Sequence, residues 1–145
     1  MTTIRDLLRS KGRDVWSVAP EASVFDALTL MADKDIGAVL VLDGDRLAGI
    51  LSERDYARKV VLRGQTSRDT PVAKIMTERV VCITPERSIE ECLALMTAQR
   101  IRHLPVLDRD RLIGIISIGD VVKAMISAQG FVIEQLENYI HGGRR

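Results

Sequence analysis

The sequence predicts a mixed α/β (α+β) fold in which a β-α-β-β-α unit occurs twice and a C-terminal helix follows. Three observations carry that prediction. Aligning Pro20 with Pro85 sets an offset of 65 residues that runs without a gap to Asp55 and Asp120. Identical pairs along it include Ser23/Ser88, Leu28/Leu93, Met31/Met96, Ile36/Ile101, Val41/Val106, Gly49/Gly114, Ser52/Ser117 and Asp55/Asp120, and repetition at a fixed period marks a duplicated unit. Within each copy, apolar residues at helical spacing alternate with short continuous apolar runs that read as buried strands. Finally, a unit of about 60 residues has little interior and is marginal alone. The two copies are therefore expected to bury their apolar faces together about a pseudo-two-fold axis. The division expected is 1–65 for the first repeat with an N-terminal helix, 66–128 for the second, and 129–145 for a C-terminal helix and tail.

Taken in order, Ile4, Leu7 and Leu8 make one apolar side of a short helix over 4–9, which the Lys11-Gly12-Arg13-Asp14 stretch ends. Trp16 to Val18 reads as a strand stopped by Pro20. Ser23 caps a helix to about Asp33, with Val24, Ala27, Leu28 and Met31 recurring on one face. Ala38 to Leu42 is an apolar strand, Asp43-Gly44-Asp45 a tight hairpin turn, and Arg46 to Leu51 the returning strand. Ser52 opens a helix to about Leu62, which Gly64 terminates. Gln65 to Thr70 is polar and linker-like, and Val72 to Met76 reads as a short helix matching Ile4 to Leu8. The second copy repeats the order: a strand over Val80 to Ile83, a helix over Ser88 to Gln99, strands over Leu104 to Leu107 and Arg111 to Ile116, and a helix over Val121 to Ala128. Past Gly130, Val132, Ile133, Leu136 and Ile140 make the apolar stripe of a last helix. That helix and the first one are the expected contact surfaces.

Composition narrows the function. With 21 basic and 20 acidic residues the net charge is +1, which provides no general field for nucleic acid or an anionic membrane. Aromatic residues are 3% of the chain, too few for a base-stacking platform. The N-terminus has no signal-like apolar stretch and no apolar run approaches a bilayer span, so a cytoplasmic protein is expected. Cys82 and Cys92 lack metal-ligand spacing and read as buried reduced thiols. The chain has two histidines, with no activated nucleophile, no phosphate loop of the P-loop kind and no metal-ligand cluster. It does not read as an enzyme.

The polar positions that remain cluster where strands hand over to helices. Ser52-x-x-Asp55 and Ser117-x-x-Asp120 spell capping boxes, as Ser23-x-x-Asp26 and Ser88-x-x-Glu91 do. The same arrangement also suits a nucleoside: a helix N-terminus offers free N–H groups and a positive dipole end, and a first-turn carboxylate can take two hydrogen bonds from a cis-diol. Arg102-His103 is a basic pair at the start of a strand. Arg54 and Arg58, four apart on one helix, read equally as a solvated face or a phosphate clamp. Asp43-x-Asp45 and Asp108-x-Asp110 are turn chemistry.

A tandem of such units, each closing on an apolar strand, Gly and Ser-x-x-Asp, resembles the cystathionine β-synthase (CBS) domain pair, or Bateman module. The resemblance spans about Val15 to Met125. It rests on Arg102-His103-Leu-Pro-Val-Leu-Asp108 and Gly114-Ile-Ile-Ser117-Ile-Gly-Asp120, and on Gly37-Ala-Val-Leu-Val-Leu-Asp43 and Gly49-Ile-Leu-Ser52-Glu-Arg-Asp55. It implies a non-catalytic sensor that binds an adenine nucleotide in clefts between the repeats: AMP first, otherwise ATP, ADP or NAD(H), with no metal. Asp55 and Asp120 would bind ribose hydroxyls, Ser52 and Ser117 ribose or phosphate, and Arg102 and His103 phosphate. The first repeat has Gly37 and Ala38 at those last positions, so its site either recruits Arg54 and Arg58 or is weaker or empty. Lys11, Arg13, Met76 and Thr77, ahead of each repeat's first strand, are candidates for an opposite wall. The resemblance further implies a homodimer that signals through a regulated partner. A structural dimerisation module without ligand is the alternative.

Overall fold

A computed structural model of the chain describes residues 2–127, so the helix expected past Gly130 lies outside the described residues. The chain divides into two compact units: Asp14–Cys82, and the N-terminal arm up to Arg13 together with the chain from Ile83 onward.

In the Asp14–Cys82 unit, β1 (Ser17–Val18) lies parallel to β2 (Ala38–Asp43), and β2 pairs antiparallel with β3 (Arg46–Ser52). Helix α2 (Val24–Lys34) makes the crossover; the Ser23 hydroxyl accepts from the Asp26 amide at its start, and Asp35 ends it in a left-handed conformation. The hairpin turns at Gly44, whose φ of +63° suits a residue without a side chain. Past β3, α3 (Glu53–Tyr56) passes into a π-helical stretch, Ala57–Val61. The sequence pattern predicts one α-helix here. The Leu62 and Gln65 amides instead donate to carbonyls five residues back, Ala57 and Val60. With that wider turn Val60 sits in the core while Leu62 is 79% exposed. Val24, Ala27, Met31, Val39, Val41, Leu51 and Val72 complete the core. The polar 65–70 stretch is tied down: the Phe25 and Val24 amides donate to the Ser67 and Thr70 carbonyls, and Thr70 is buried.

In the other unit, α4 (Ile89–Gln99) precedes the antiparallel pair β4 (His103–Asp108) and β5 (Arg111–Ser117), and α5 (Ile118–Ser127) follows. The strand expected over Val80 to Ile83 is reduced to a single parallel bridge, Ile83 to Val106. The reason is Pro105. In the first repeat the Leu40 amide donates to the Trp16 carbonyl at 3.1 Å. Pro105 stands where Leu40 does and has no N–H to offer Val81.

Helix α1 (Ile4–Lys11) belongs to this unit, whereas the sequence division placed it with the first repeat. The Ile4 and Arg5 amides donate to the Arg87 and Pro85 carbonyls, and the Ile89 amide donates to the Thr2 carbonyl. Leu8 lies over Gly114, where an added Cβ would come within 2.8 Å of it. Arg5 pairs with Glu86 at 2.9 Å and Asp108 at 3.2 Å. The 3₁₀ turn Val72–Lys74 uses the same bonds in the other unit: the Val72 and Ala73 amides donate to the Ala22 and Pro20 carbonyls, and Met76 lies over Gly49. Each repeat thus receives a short helical arm, and the arm on the second repeat is the chain's own N-terminus. Ile4, Leu7, Leu8, Ile89, Cys92, Met96, Leu104, Val106, Ile116 and Val121 are all buried in this unit.

Candidate functional site

Strand pairing brings the predicted site residues together within each repeat. His103 is the register partner of Ser117, and the Arg102 carbonyl accepts from the Ile118 amide at 2.8 Å, the first amide of α5. Ala38 pairs with Ser52 in the same way, and the Gly37 carbonyl accepts from the Glu53 amide at 3.0 Å. The dipeptide that opens the hairpin therefore sits against the strand-to-helix turn in both units, because a hairpin of fixed register makes its first and last residues partners.

Both Ser-x-x-Asp segments close as caps. The Ser52 amide and hydroxyl donate to Asp55 Oδ2, each at 3.0 Å, and the Asp55 amide donates back to the hydroxyl. The Ser117 amide donates to Asp120 Oδ2 at 2.8 Å, and the Asp120 amide returns to the Ser117 hydroxyl at 3.1 Å. Ser88 and Glu91 form the same box. Capping is thus realised at the two candidate sites as well as where no other role is expected.

The surroundings of the two carboxylates differ. Lys11, the last residue of α1, donates through Nζ to Asp120 Oδ2 and to the Ile115 carbonyl, each at 2.6 Å. Burial pushes the Asp120 carboxyl up, but the Lys11 hydrogen bond and the Ser117 amide outweigh it and hold it below the usual range. His103 is lowered, first by burial and then by the Lys11 charge, with Asp120 pulling the other way and Arg102 adding to the lowering. A neutral imidazole can donate one hydrogen bond to a phosphate but adds no charge. Arg102 is exposed and carries the positive charge at that end of β4.

At Asp55 the ammonium is Lys59, one turn along, 3.5 Å from Oδ1 and bonded to the Ile75 carbonyl at 3.0 Å. Met76 and Thr77 do flank this site. Thr77 bridges β3, its amide donating to the Ile50 carbonyl at 2.9 Å and its carbonyl accepting from the Ile50 amide at 3.0 Å. Arg54 and Arg58 are exposed on the helical stretch after Ser52, and Arg13 is exposed past Gly12. Lys59 lies on the same helical stretch as Arg54 and Arg58, and its spacing of four from Asp55 is the sequence signal for the pairing. The bond from Lys11 to Asp120 has no such signal, because the two lie at opposite ends of the sequence. Among the described residues no group of three His, Cys, Asp or Glu is placed to hold a metal ion, and no helix is long and apolar enough to cross a membrane.

The CBS domain family matches residues 4–62 and 72–127. A solved structure of a protein with CBS domains from Burkholderia ambifaria is 53% identical, with a TM-score of 0.86 over 88% of this chain and 96% of that one. The CBS domain-containing protein CBSX3, mitochondrial, of Arabidopsis thaliana is 39% identical over 98% of this chain and 73% of its own length. YhcV of Bacillus subtilis, also a CBS domain-containing protein, is 31% identical over 88% of both. Pairs of CBS domains are regulatory modules that typically bind adenosine ligands. Both family matches begin on a helical arm and end past a Ser-x-x-Asp helix, and the chain belongs to the CBS-domain family as a tandem pair.

Proposed function

We propose that this CBS pair is a non-catalytic sensor that binds an adenine nucleotide at the Ser-x-x-Asp turns. AMP is the first candidate, and ATP, ADP and NAD(H) are the others. The observation that carries the reading is the grouping of Arg102, His103, Ser117 and Asp120 at one strand-to-helix turn. It offers a carboxylate for a ribose diol next to a cation and an imidazole for phosphate. The output is a change in a homodimer or in a partner protein of the cytoplasm. Half of the grouping, Ser52 and Asp55 with Gly37 and Ala38 in place of the basic pair, is present in the other unit, which makes that site the weaker of the two.

The test is thermal unfolding with AMP, ADP, ATP and NAD(H), joined to mass spectrometry of small molecules that co-purify. A ligand at about 100 times its Kd stabilises the fold by about 2.7 kcal/mol. Asp120→Ala should weaken binding by about 1.5–3 kcal/mol, the size of a lost hydrogen bond to a charged group. A second reading, a structural dimerisation module, is favoured by the closed capping boxes. It prevails if no nucleotide shifts the transition and Asp120→Ala lowers only stability.

A further inference from the structure

We propose that Lys11 determines specificity at the Asp120 site: it closes the carboxylate to uncharged nucleosides and yields to a ligand whose phosphate it can pair with. The inference rests on the nucleotide-binding reading above and adds a selection rule to it. Three features of the unit carry it. Lys11 Nζ lies 2.6 Å from Asp120 Oδ2, the oxygen that also accepts from the Ser117 amide, so a ribose hydroxyl that takes that oxygen must displace the ammonium. The same ammonium satisfies the Ile115 carbonyl. Removing it therefore breaks two hydrogen bonds and leaves a charge without its anion, which a neutral nucleoside does nothing to replace.

A phosphate accepts from the ammonium and supplies the anion it loses when it leaves Asp120. Lys11 lines a cavity of about 540 Å³ that runs between α1 and α5, with Lys123, Ser10, Ser127, Asp120 and Asp6 on its walls. That volume falls within the ordinary range of small-molecule sites, about 300–1,000 Å³. Among the described residues Lys11 and Lys123 are its cations, and the Asp6 carboxylate accepts from the Thr3 amide and hydroxyl. Lys11 also stands at the end of α1, just before Gly12 with φ of +102°, where the chain leaves the helix. Its side chain can exchange one anion for another without unwinding a turn. At the Asp55 site the ammonium is Lys59, 3.5 Å from Oδ1 and off the Oδ2 that accepts from the Ser52 amide, and the Ile50 carbonyl is satisfied by the Thr77 backbone.

The experiment is isothermal titration of AMP and adenosine into the full chain carrying Asp55→Ala, which silences the other site, with Lys11 intact, Lys11→Met or Lys11→Arg. With Lys11 intact, AMP should bind at least tenfold more tightly than adenosine. Lys11→Met should weaken AMP and strengthen adenosine, narrowing the ratio, and Lys11→Arg should restore the preference. Circular dichroism and the melting transition establish that each variant is folded. An AMP-to-adenosine ratio unchanged by Lys11→Met overturns the selection rule and leaves nucleotide binding standing. Absence of binding by AMP, ATP and NAD(H) to the unmodified chain overturns the sensor reading itself, and the rule with it.

Discussion

In the Asp14–Cys82 unit the Ile50 carbonyl accepts from the Thr77 amide, so a backbone bridge seals the edge of β3. In the other unit the matching carbonyl, Ile115, accepts from the Lys11 side chain, and the arm stays helical for two turns instead of running along the strand. The polar requirement is the same in both, because a partly buried carbonyl must find a donor. The first unit meets it with a donor that carries no net charge. The second meets it with a cation that then sits on Asp120 and lowers His103. Duplication kept the hairpin, the cap and the glycine under the arm. Divergence of the arms set the electrostatics of the two candidate sites apart.

If the arms are integral to the units they join, the largest effects should come from their apolar anchors. Leu8 is fully buried and Met76, its counterpart over the strand glycine, is half-buried. Leu8→Ala should cost about 2–5 kcal/mol, the usual range for a buried leucine, and Met76→Ala should cost less. Urea unfolding measures both. A Leu8→Ala loss below that of Met76→Ala would mean that α1 is peripheral and the comparison of the arms is misplaced.

The glycines beneath those anchors sharpen the contrast. A Cβ on Gly49 would lie 2.9 Å from the Thr77 carbonyl oxygen, a backbone atom, as well as 2.7 Å from Met76 Sδ. A Cβ on Gly114 would meet only the end of the Leu8 side chain, at 2.8 Å. Overpacking of this kind costs about 1–3 kcal/mol. Gly49→Ala should fall at the upper end, because the Ile50–Thr77 bridge has to move, and Gly114→Ala at the lower end, because a leucine can change rotamer. Equal unfolding midpoints for the two variants would show that the bridge is as yielding as a side chain.

Much of this was legible in the residues. The 65-residue offset carries the hairpins, the caps and the pairing of His103 with Ser117, because each follows from local periodicity or turn geometry. What escaped is non-local. The arms follow a different offset, 68 residues from Ile4 to Val72, so no alignment of the repeats reveals which repeat each arm joins. The strand at Val80–Ile83 failed because its partner carries Pro105, a proline acting on a neighbour rather than on its own segment. The pairing of Lys11 with Asp120 depends on the arm's placement and was hidden with it.

The smallest effect concerns protons, and only one unit should show it. His103 is held below its ordinary value by burial and the Lys11 charge, while Ala38 occupies the matching position in the first repeat. The unfolded chain therefore takes up this proton first, near pH 6.5 or so for a free imidazole. Its contribution to stability is complete above that pH and is lost as the pH falls through the lower folded value. Unfolding midpoints compared between about pH 7.5 and pH 5 should fall in the unmodified chain and fall less in His103→Gln, whose side chain keeps a donor and does not titrate. His141 is present in both proteins, so the difference between them isolates His103. Lys11→Met should also reduce the slope, since the Lys11 charge is the second cause of the lowering. Parallel pH profiles for the unmodified chain and His103→Gln would show the imidazole to be open to water, and the electrostatic contrast between the two repeats would then rest on Asp120 alone.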